Sequence, residues 1–146
     1  MESDLIKLYS GRILALAADI PYLGRLEAPH GTFRARSPQC GSVVTVDVCV
    51  QGGRITEFAQ DVKACALGQA SAAITGAQMI GCSKDDIEAA RTALAAMLAG
   101  GEIPPHPFDA FEVLTAAVPF TNRHASILLS LDATLGAMLK AQSKVA

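Results

Sequence analysis

The stretch that decides the fold is residues 37–68, which read SPQCGSVVTVDVCVQGGRITEFAQDVKACALG. Valine alternates with other residues over residues 43–50, and this period of two predicts a strand with one buried face. The pair Gly52-Gly53 follows the strand. Because glycine adopts positive φ without strain, the pair predicts a tight turn into an antiparallel neighbour.

A second strand is predicted from Arg54 to about Phe58, and residues 61–64 are predicted to form a shorter third strand beside it. Cys40 lies before this hairpin, and Cys65 lies after it, where a helix is predicted to begin. Both thiols are therefore expected at the same end of a small antiparallel sheet. Two cysteines that approach each other on rigid supports suggest a metal site, for which the rest of the chain must supply further ligands.

Helical patterns flank the sheet on both sides. Residues 19–39 are rich in proline and glycine and are expected to form a long irregular connection. Three strands in one block with helices before and after predict a single α+β domain over residues 1–146, with a three-stranded antiparallel sheet and about five helices. The helices are predicted over residues 3–18, 66–80, 107–116 and 124–142, and from a capping box at Ser83 and Asp86 to the pair Gly100-Gly101.

The composition argues against several classes of function. The chain has 146 residues and a formal net charge of −2. Without a basic face, it is predicted to bind neither nucleic acid nor an anionic membrane. No apolar run approaches the ~18–20 residues that cross a bilayer, and no convincing signal peptide is present, so we expect a soluble cytoplasmic protein. We also expect a monomer or a weak homo-oligomer.

The four cysteines are widely spaced, and no Cys-x-x-Cys pair occurs. In a reducing cytosol they are predicted to be free thiols or metal ligands. Cys65 is the strongest candidate ligand, because a helix N-terminus favours the thiolate that binds soft metals. Cys40 precedes Gly41, which lets the backbone approach a bound ion. For either thiol alone, a packing role or no role explains the pattern as well.

The other two thiols are weaker candidates. Cys49 is expected to be a packing residue covered by a helix, and Cys82 is expected to be a surface thiol in a turn between helices.

His124 is the third candidate ligand. It opens the last predicted helix, where its neutral imidazole is free to point at a site and is a good ligand for iron or zinc. His30 and His106 lie in proline-containing loops and are expected to be solvated. A cysteine nucleophile at Cys65 with His124 as its base is an alternative that the residue types allow, although nothing local orients the pair.

Five short motifs occur in an order that is typical of one family. They are SPQCG at residues 37–41, GRI at residues 53–55, ACA and ASA at residues 64–66 and 70–72, IGCS at residues 80–83, and HASIL at residues 124–128. With them the chain resembles, over nearly its whole length, the U-type iron–sulfur cluster assembly scaffolds, which include IscU, SufU and the N-terminal domain of NifU. The resemblance implies their SufE/NifU-like fold.

The resemblance also implies a function. Such scaffolds assemble a transient 2Fe–2S cluster, take sulfur from a cysteine desulfurase and pass the cluster to apo-protein acceptors. By position, Cys40 and Cys65 match the first two cysteine ligands of the family, and His124 matches its histidine.

This sequence departs from the family pattern at three places. Ala125 stands where the third cysteine is expected, and Ser42 replaces the aspartate that follows Cys-Gly. The third cysteine is the family's usual acceptor of sulfur from the desulfurase. Residues 118–122 keep one proline of the Leu-Pro-Pro-Val-Lys chaperone-binding sequence and lose its lysine, which argues against an Hsp70-type partner.

The leading hypothesis is therefore a non-enzymatic scaffold or carrier that binds iron, zinc or a labile 2Fe–2S cluster through Cys40, Cys65 and His124. Ser42 and Gly41 are possible auxiliary groups. These ligands supply three of the four protein positions that a 2Fe–2S cluster takes, so a fourth must come from a partner, a small thiol or an unexpected residue. The alternative is a metal-free interaction protein that kept the scaffold fold and lost its cluster chemistry.

Overall fold

The computed structural model describes residues 9–145. In this part of the chain, a three-stranded antiparallel sheet in the order β1-β2-β3 packs with four α-helices and two 3₁₀ helices. The predicted α+β class and the three-stranded sheet are confirmed. In chain order the elements are α1 (Gly11–Ala17), β1 (Gly31–Arg36), β2 (Val43–Gln51), β3 (Arg54–Lys63), α2 (Ala66–Gln78), α3 (Lys84–Leu98), the 3₁₀ helices Asp109–Ala117 and Thr121–Arg123, and α4 (His124–Val145).

The hairpin of β2 and β3 forms as the valine pattern predicts. Val44, Val46 and Val48 are buried on the face that α4 covers. Gly52 and Gly53 make the turn with φ values of 60° and 76°, which residues with a Cβ rarely adopt. This hairpin fixes the positions of the chain segments that precede β2 and follow β3.

The prediction that residues 19–39 form an irregular connection is wrong, because they contain strand β1. This strand pairs antiparallel with β2 and places Gly31 opposite Val48. Gly31 faces α4 so closely that an added Cβ would lie 2.1 Å from the carbonyl oxygen of Ala137. Gly31, Phe33 and Ala35 share the face of β1 that lies towards α4, so two of its three residues are small and an analysis of hydrophobic periodicity misses the strand.

The prediction of a separate strand over residues 61–64 is also wrong, because β3 runs without a break to Lys63. Gln60 interrupts its apolar pattern and is nevertheless fully buried. Its side-chain nitrogen donates to the carbonyl oxygens of Pro21 and Ala72, at 3.1 Å each. Because these hydrogen bonds satisfy the amide, the strand can continue through a buried polar residue.

The first predicted helix is shorter than expected. Helix α1 begins at Gly11, and Ser10 caps it by accepting a hydrogen bond from the Ile13 amide at 3.4 Å. Tyr9 and Ser10 lie outside the helix. The prediction of a continuous helix over residues 3–18 is therefore wrong at these two residues. The rest of that prediction, over residues 3–8, falls outside the described residues.

The later helices follow the predictions closely. Helix α3 starts with the complete capping box of Ser83 and Asp86. Gly100 follows the end of this helix with a φ of 99°. The helix predicted over residues 107–116 is a 3₁₀ helix, Asp109–Ala117. Over residues 9–145, no helix combines the length and apolar character needed to cross a membrane.

Helix α4 is the centre of the packing, since it contacts β1, β2, α2 and α3. Ser71 of α2 donates a hydrogen bond to the carbonyl oxygen of Ile127, near the start of α4. Gly136 of α4 lies under the ring of Phe33, where an added Cβ would come within 2.4 Å of the ring. The start of α4 is thereby held against α2 while the rest of the helix lies on the sheet.

Candidate metal centre

The two candidate thiols reach the same place from different elements. Cys40 lies in the loop between β1 and β2, and Cys65 joins β3 to α2. In the sheet, Val43 pairs with both Arg36 and Lys63, so the loop and the end of β3 lie at the same end of the sheet. The prediction that both thiols lie at the same end of the sheet is confirmed.

The loop that carries Cys40 is held by its own backbone. The Ser37 amide donates to the Ser42 carbonyl at 2.8 Å, and the Gly41 amide donates to the Ser37 carbonyl at 2.9 Å. Gly41 has a φ of 70°, which explains why glycine follows the cysteine. The Gly41 amide already has an acceptor, so its effect on the site is through the loop conformation.

Hydroxyl groups surround the Cys40 thiol, which is exposed to solvent. Its sulfur lies 3.1 Å from the Ser37 hydroxyl and 3.5 Å from the Ser42 hydroxyl. Partial burial alone raises the pKa of Cys40, but hydrogen bonds from Ser37, Ser42 and Ser126 outweigh it and lower the pKa from 9.0 to about 7. Cys40 is therefore present to a large extent as a thiolate at neutral pH.

Cys65 occupies the N-cap position of α2, as predicted, and is half-buried. Its side chain caps no backbone amide of the helix. Its sulfur instead lies 3.6 Å from the hydroxyl of Ser126, in the first turn of α4. The thiol is thus directed at the site rather than used by its own helix.

Ser126 links the two thiols and was not among the predicted site residues. Its hydroxyl oxygen lies 3.0 Å from that of Ser42, which in turn contacts Cys40. Ser126 and Ser42 are 1% and 3% exposed, so this polar connection is buried. A serine in the first turn of a helix gives no sequence signal of its own, and only its place two residues after His124 hinted at the site.

His124 opens α4, as predicted, and is half-buried. Its Nε2 atom lies 2.9 Å from the carbonyl oxygen of Ala117 and 3.1 Å from that of Val118. A carbonyl oxygen only accepts, so Nε2 carries a proton, and Nδ1 holds the lone pair of the neutral ring. No hydrogen bond between His124 and Cys65 occurs in the described structure, so the contact that a thiol–imidazole nucleophile needs is not formed.

The remaining cysteines do not belong to this site. Cys49 is buried, as predicted, and its sulfur contacts the carbonyl oxygen of Ala28 at 3.4 Å, in the segment before β1 rather than in a helix. Cys82 is also buried and lies 3.0 Å from the Gln78 carbonyl, so the prediction of a surface thiol is wrong. Burial raises the pKa of both thiols, which keeps them protonated.

The donor set is rich in oxygen and sulfur but poor in the usual metal-ligating residues. Within residues 9–145, no group of three or more His, Cys, Asp or Glu side chains is placed to hold a metal ion. Two thiols and nearby hydroxyls are present, and thiolates suit zinc, copper(I) and iron–sulfur clusters. The ligand set Cys40, Cys65 and His124 stays a prediction.

Comparison with solved structures places the fold among known proteins. The chain is similar to the N-terminal part of a nitrogen-fixing NifU-like protein from Brucella abortus, with 35% sequence identity, a TM-score of 0.92 and alignment of 97% of this chain and 99% of that one. It also shares its fold with a protein from Fervidobacterium islandicum assigned as an iron–sulfur cluster assembly scaffold for the SUF system, at 21% identity and a TM-score of 0.80, over 91% of this chain and 98% of that one. No protein-family model and no curated protein matches the chain. The NifU-like fold expected from the sequence is confirmed.

Proposed function

This chain belongs to the family of NifU-like N-terminal proteins, and on that premise we propose that it is a scaffold or carrier in iron–sulfur cluster assembly. Its cargo is iron, zinc or a labile 2Fe–2S cluster, held through Cys40, Cys65 and His124. It catalyses no turnover of its own. A protein that shares its fold is itself assigned as a cluster assembly scaffold, which supports this choice of cargo.

The observation that carries the proposal is the connection of Cys40 and Cys65 through two buried hydroxyl groups, since Cys40 contacts Ser42, Ser42 contacts Ser126, and Ser126 contacts Cys65. Each thiol comes from a different element, so the site exists only in the folded chain. Cys40 lies at the surface, where a cluster can be loaded and removed. An exposed thiolate next to a half-buried thiol suits a site that holds its cargo transiently.

His124 can take part through one ring nitrogen only. Because two carbonyl oxygens hold Nε2, Nδ1 is the atom available to a metal. Metal-ligating histidines commonly donate their second N–H to a carbonyl, which fixes the ring and raises its basicity. These contacts of His124 support its proposed role as a ligand.

The partners that we propose follow from this role. A cysteine desulfurase supplies sulfur, and apo-proteins accept the finished cluster. Because Ala125 replaces the family's third cysteine, one of the two remaining site thiols must receive the sulfur in this protein. A reducing cytoplasm is the compartment in which these thiols stay free.

Replacing Cys65 with alanine tests the site. The Cys65 side chain makes no capping hydrogen bond, so we expect the variant to fold with a loss of less than about 1 kcal/mol. Its metal content after anaerobic reconstitution should fall to background. Cys49→Ala is the matched control, because it removes a thiol outside the site. A Cys65→Ala protein that retains its full metal content would show that the site is assigned wrongly.

A metal-free interaction protein is the second candidate. It is favoured by the lack, within residues 9–145, of three His, Cys, Asp or Glu side chains grouped for a metal ion. Elemental analysis and a visible spectrum of anaerobically purified protein separate the two candidates. Stoichiometric metal or a charge-transfer band supports the scaffold, and colourless, metal-free protein after reconstitution supports the alternative.

A further inference from the structure

The Ser126 hydroxyl has unusual partners for a buried serine. Over residues 124–142 of α4, three hydroxyl side chains are buried, those of Ser126, Ser130 and Thr134. Thr134 donates to a backbone carbonyl at 2.7 Å, and Ser130 donates to the Gln60 side-chain oxygen at 3.3 Å. Ser126 is different, because its hydrogen-bond partners are another hydroxyl and a thiol.

The Ser42 hydroxyl is an ordinary hydrogen-bond partner for Ser126, whereas the Cys65 thiol is only a weak donor and a weak acceptor. The hydroxyl oxygens and thiol sulfurs of this cluster all carry lone pairs, and the thiols bind metal ions as thiolates. A metal ion is the partner that would satisfy them together.

Two sulfur–oxygen distances in this cluster match those between neighbouring ligands of one metal ion. A tetrahedral ion with bonds of about 2.3 Å to sulfur and about 2.0 Å to oxygen holds adjacent sulfur and oxygen ligands about 3.5 Å apart. The sulfur of Cys40 lies 3.5 Å from the Ser42 hydroxyl, and the sulfur of Cys65 lies 3.6 Å from the Ser126 hydroxyl. The two hydroxyl oxygens are 3.0 Å apart, slightly closer than ligands of one ion.

The neighbouring helix leaves room for the Ser126 hydroxyl. Gly68 of α2 faces it, and an added Cβ would lie only 2.7 Å from that oxygen. A glycine inside a helix costs about 1 kcal/mol relative to alanine. Helix α2 therefore carries an unfavourable residue at the point where the hydroxyl needs space.

We propose that Ser126 is a further metal-binding residue of this site, whose hydroxyl oxygen takes the place of the missing third thiolate beside Cys40 and Cys65. This inference rests on the proposed function, since it adds a donor to the same site. Ser126 thereby adds a fourth donor to the proposed ligands Cys40, Cys65 and His124, and Ser42 stays hydrogen-bonded beside it. On binding, the metal replaces the hydroxyl and thiol protons, which pass to solvent, and no electron is transferred.

Cobalt(II) binding to the reduced, metal-free full chain tests the inference, because thiolate-to-cobalt absorption reports the ligands without any assay of cluster transfer. We expect Ser126→Ala to bind cobalt at least tenfold more weakly than the unmodified chain. Ser126→Cys should bind more tightly, and its thiolate-to-cobalt absorption should rise by about half as the thiolates increase from two to three. Ser130→Ala, a buried serine one turn further along α4, is the control and should bind as the unmodified chain does.

The outcomes separate this inference from the proposed function. If the unmodified chain binds cobalt through thiolates and Ser126→Ala binds it equally well, the role of Ser126 is refuted and the scaffold stands. If Ser126→Ala does not fold, unchanged thiolate absorption in Ser126→Cys refutes the role by itself. If the unmodified chain binds none of cobalt, zinc and iron, both proposals fail.

Discussion

Two polar clusters of this protein invite comparison. The Asp47 carboxylate, fully buried in β2, is held by the Arg25 guanidinium at 2.7 and 3.1 Å, by the Leu26 amide at 3.0 Å and by the Thr32 hydroxyl at 2.6 Å. The cluster of Cys40, Ser42, Ser126 and Cys65 consists of thiols and hydroxyls that contact one another.

The difference lies in how well each cluster is satisfied. Asp47 has an opposite charge and four hydrogen bonds, so it needs nothing further and fastens the segment before β1 to the sheet. Among the described residues, the thiol and hydroxyl cluster has no charged partner, and it lies partly open to solvent at Cys40. A fully hydrogen-bonded cluster such as that of Asp47 stabilises the fold. A solvent-accessible cluster of donor atoms, which we call the open cluster, can bind a ligand.

The largest effect is expected from Asp47→Ala. Removing the carboxylate leaves the Thr32 hydroxyl and the Leu26 amide without their acceptor, and we expect the free energy of unfolding to fall by about 2–4 kcal/mol. Urea denaturation measures this change. Asp61→Ala, an exposed carboxylate on the adjacent strand β3, is the control and should stay within about 0.5 kcal/mol. The folded fraction of Asp47→Ala should still bind metal, and loss of metal there would contradict the separation of the two clusters.

Gly68→Ala should affect both stability and the site. The added methyl group would lie 2.7 Å from the Ser126 hydroxyl and 2.8 Å from the Ala64 side chain. Overpacking outweighs the gain in helix propensity, so we expect a loss of about 1–2 kcal/mol together with weaker metal binding. Gly11→Ala is the control, because no described residue lies within 4 Å of its added Cβ and its φ is not positive. Equal effects of the two substitutions would refute the close approach of α2 and α4.

The pH dependence of stability should identify the Asp47 cluster. Burial alone raises the pKa of Asp47, but hydrogen bonds from Arg25, Thr32 and Leu26 lower it below its ordinary value. The stabilisation is complete above the pKa of an unfolded aspartate, about 3.9, and is lost as the pH falls through the lower folded pKa. Asp47→Asn should therefore lose less stability than the unmodified chain when urea denaturation at pH 5 and pH 3 is compared. An unchanged acid dependence would contradict the lowered pKa.

The smallest effect concerns only the rate of a reaction at the open cluster. In metal-free protein, alkylation of Cys40 by iodoacetamide should reach half its maximal rate at a pH of about 7. Cys49 and Cys82 should stay unmodified in the folded protein, because both are buried and burial raises their pKa. Mass spectrometry of the labelled peptides measures each thiol separately. Half-maximal labelling of Cys40 near pH 9 would show that the hydroxyl groups do not stabilise its thiolate.

Much of this fold could be predicted because its signals are local. The valine alternation of β2, the turn at Gly52-Gly53 and the capping box at Ser83 each depend on a few neighbouring residues. The errors arose where tertiary packing replaced the usual pattern. Strand β1 needs a glycine at position 31 because α4 lies directly on it, which weakens the apolar pattern of the strand. Strand β3 continues through Gln60 because distant carbonyl groups satisfy its amide.

The site was predictable in part for the same reason. The positions of Cys40 and Cys65 follow from the hairpin between them, and His124 follows from the start of a helix. The contact of Ser126 with Cys65 joins residues 61 positions apart, and no local pattern indicates it. Only the packing of α4 on α2, which Gly68 permits, brings this hydroxyl to the thiols.

The most direct test of the central claim is the content of iron, zinc and acid-labile sulfide per chain after anaerobic purification and reconstitution. If Cys40 and Cys65 form a scaffold site, the unmodified chain should hold stoichiometric iron with sulfide, or stoichiometric zinc, and Cys65→Ala should hold neither. An unmodified chain that is free of metal and sulfide under these conditions would contradict the claim.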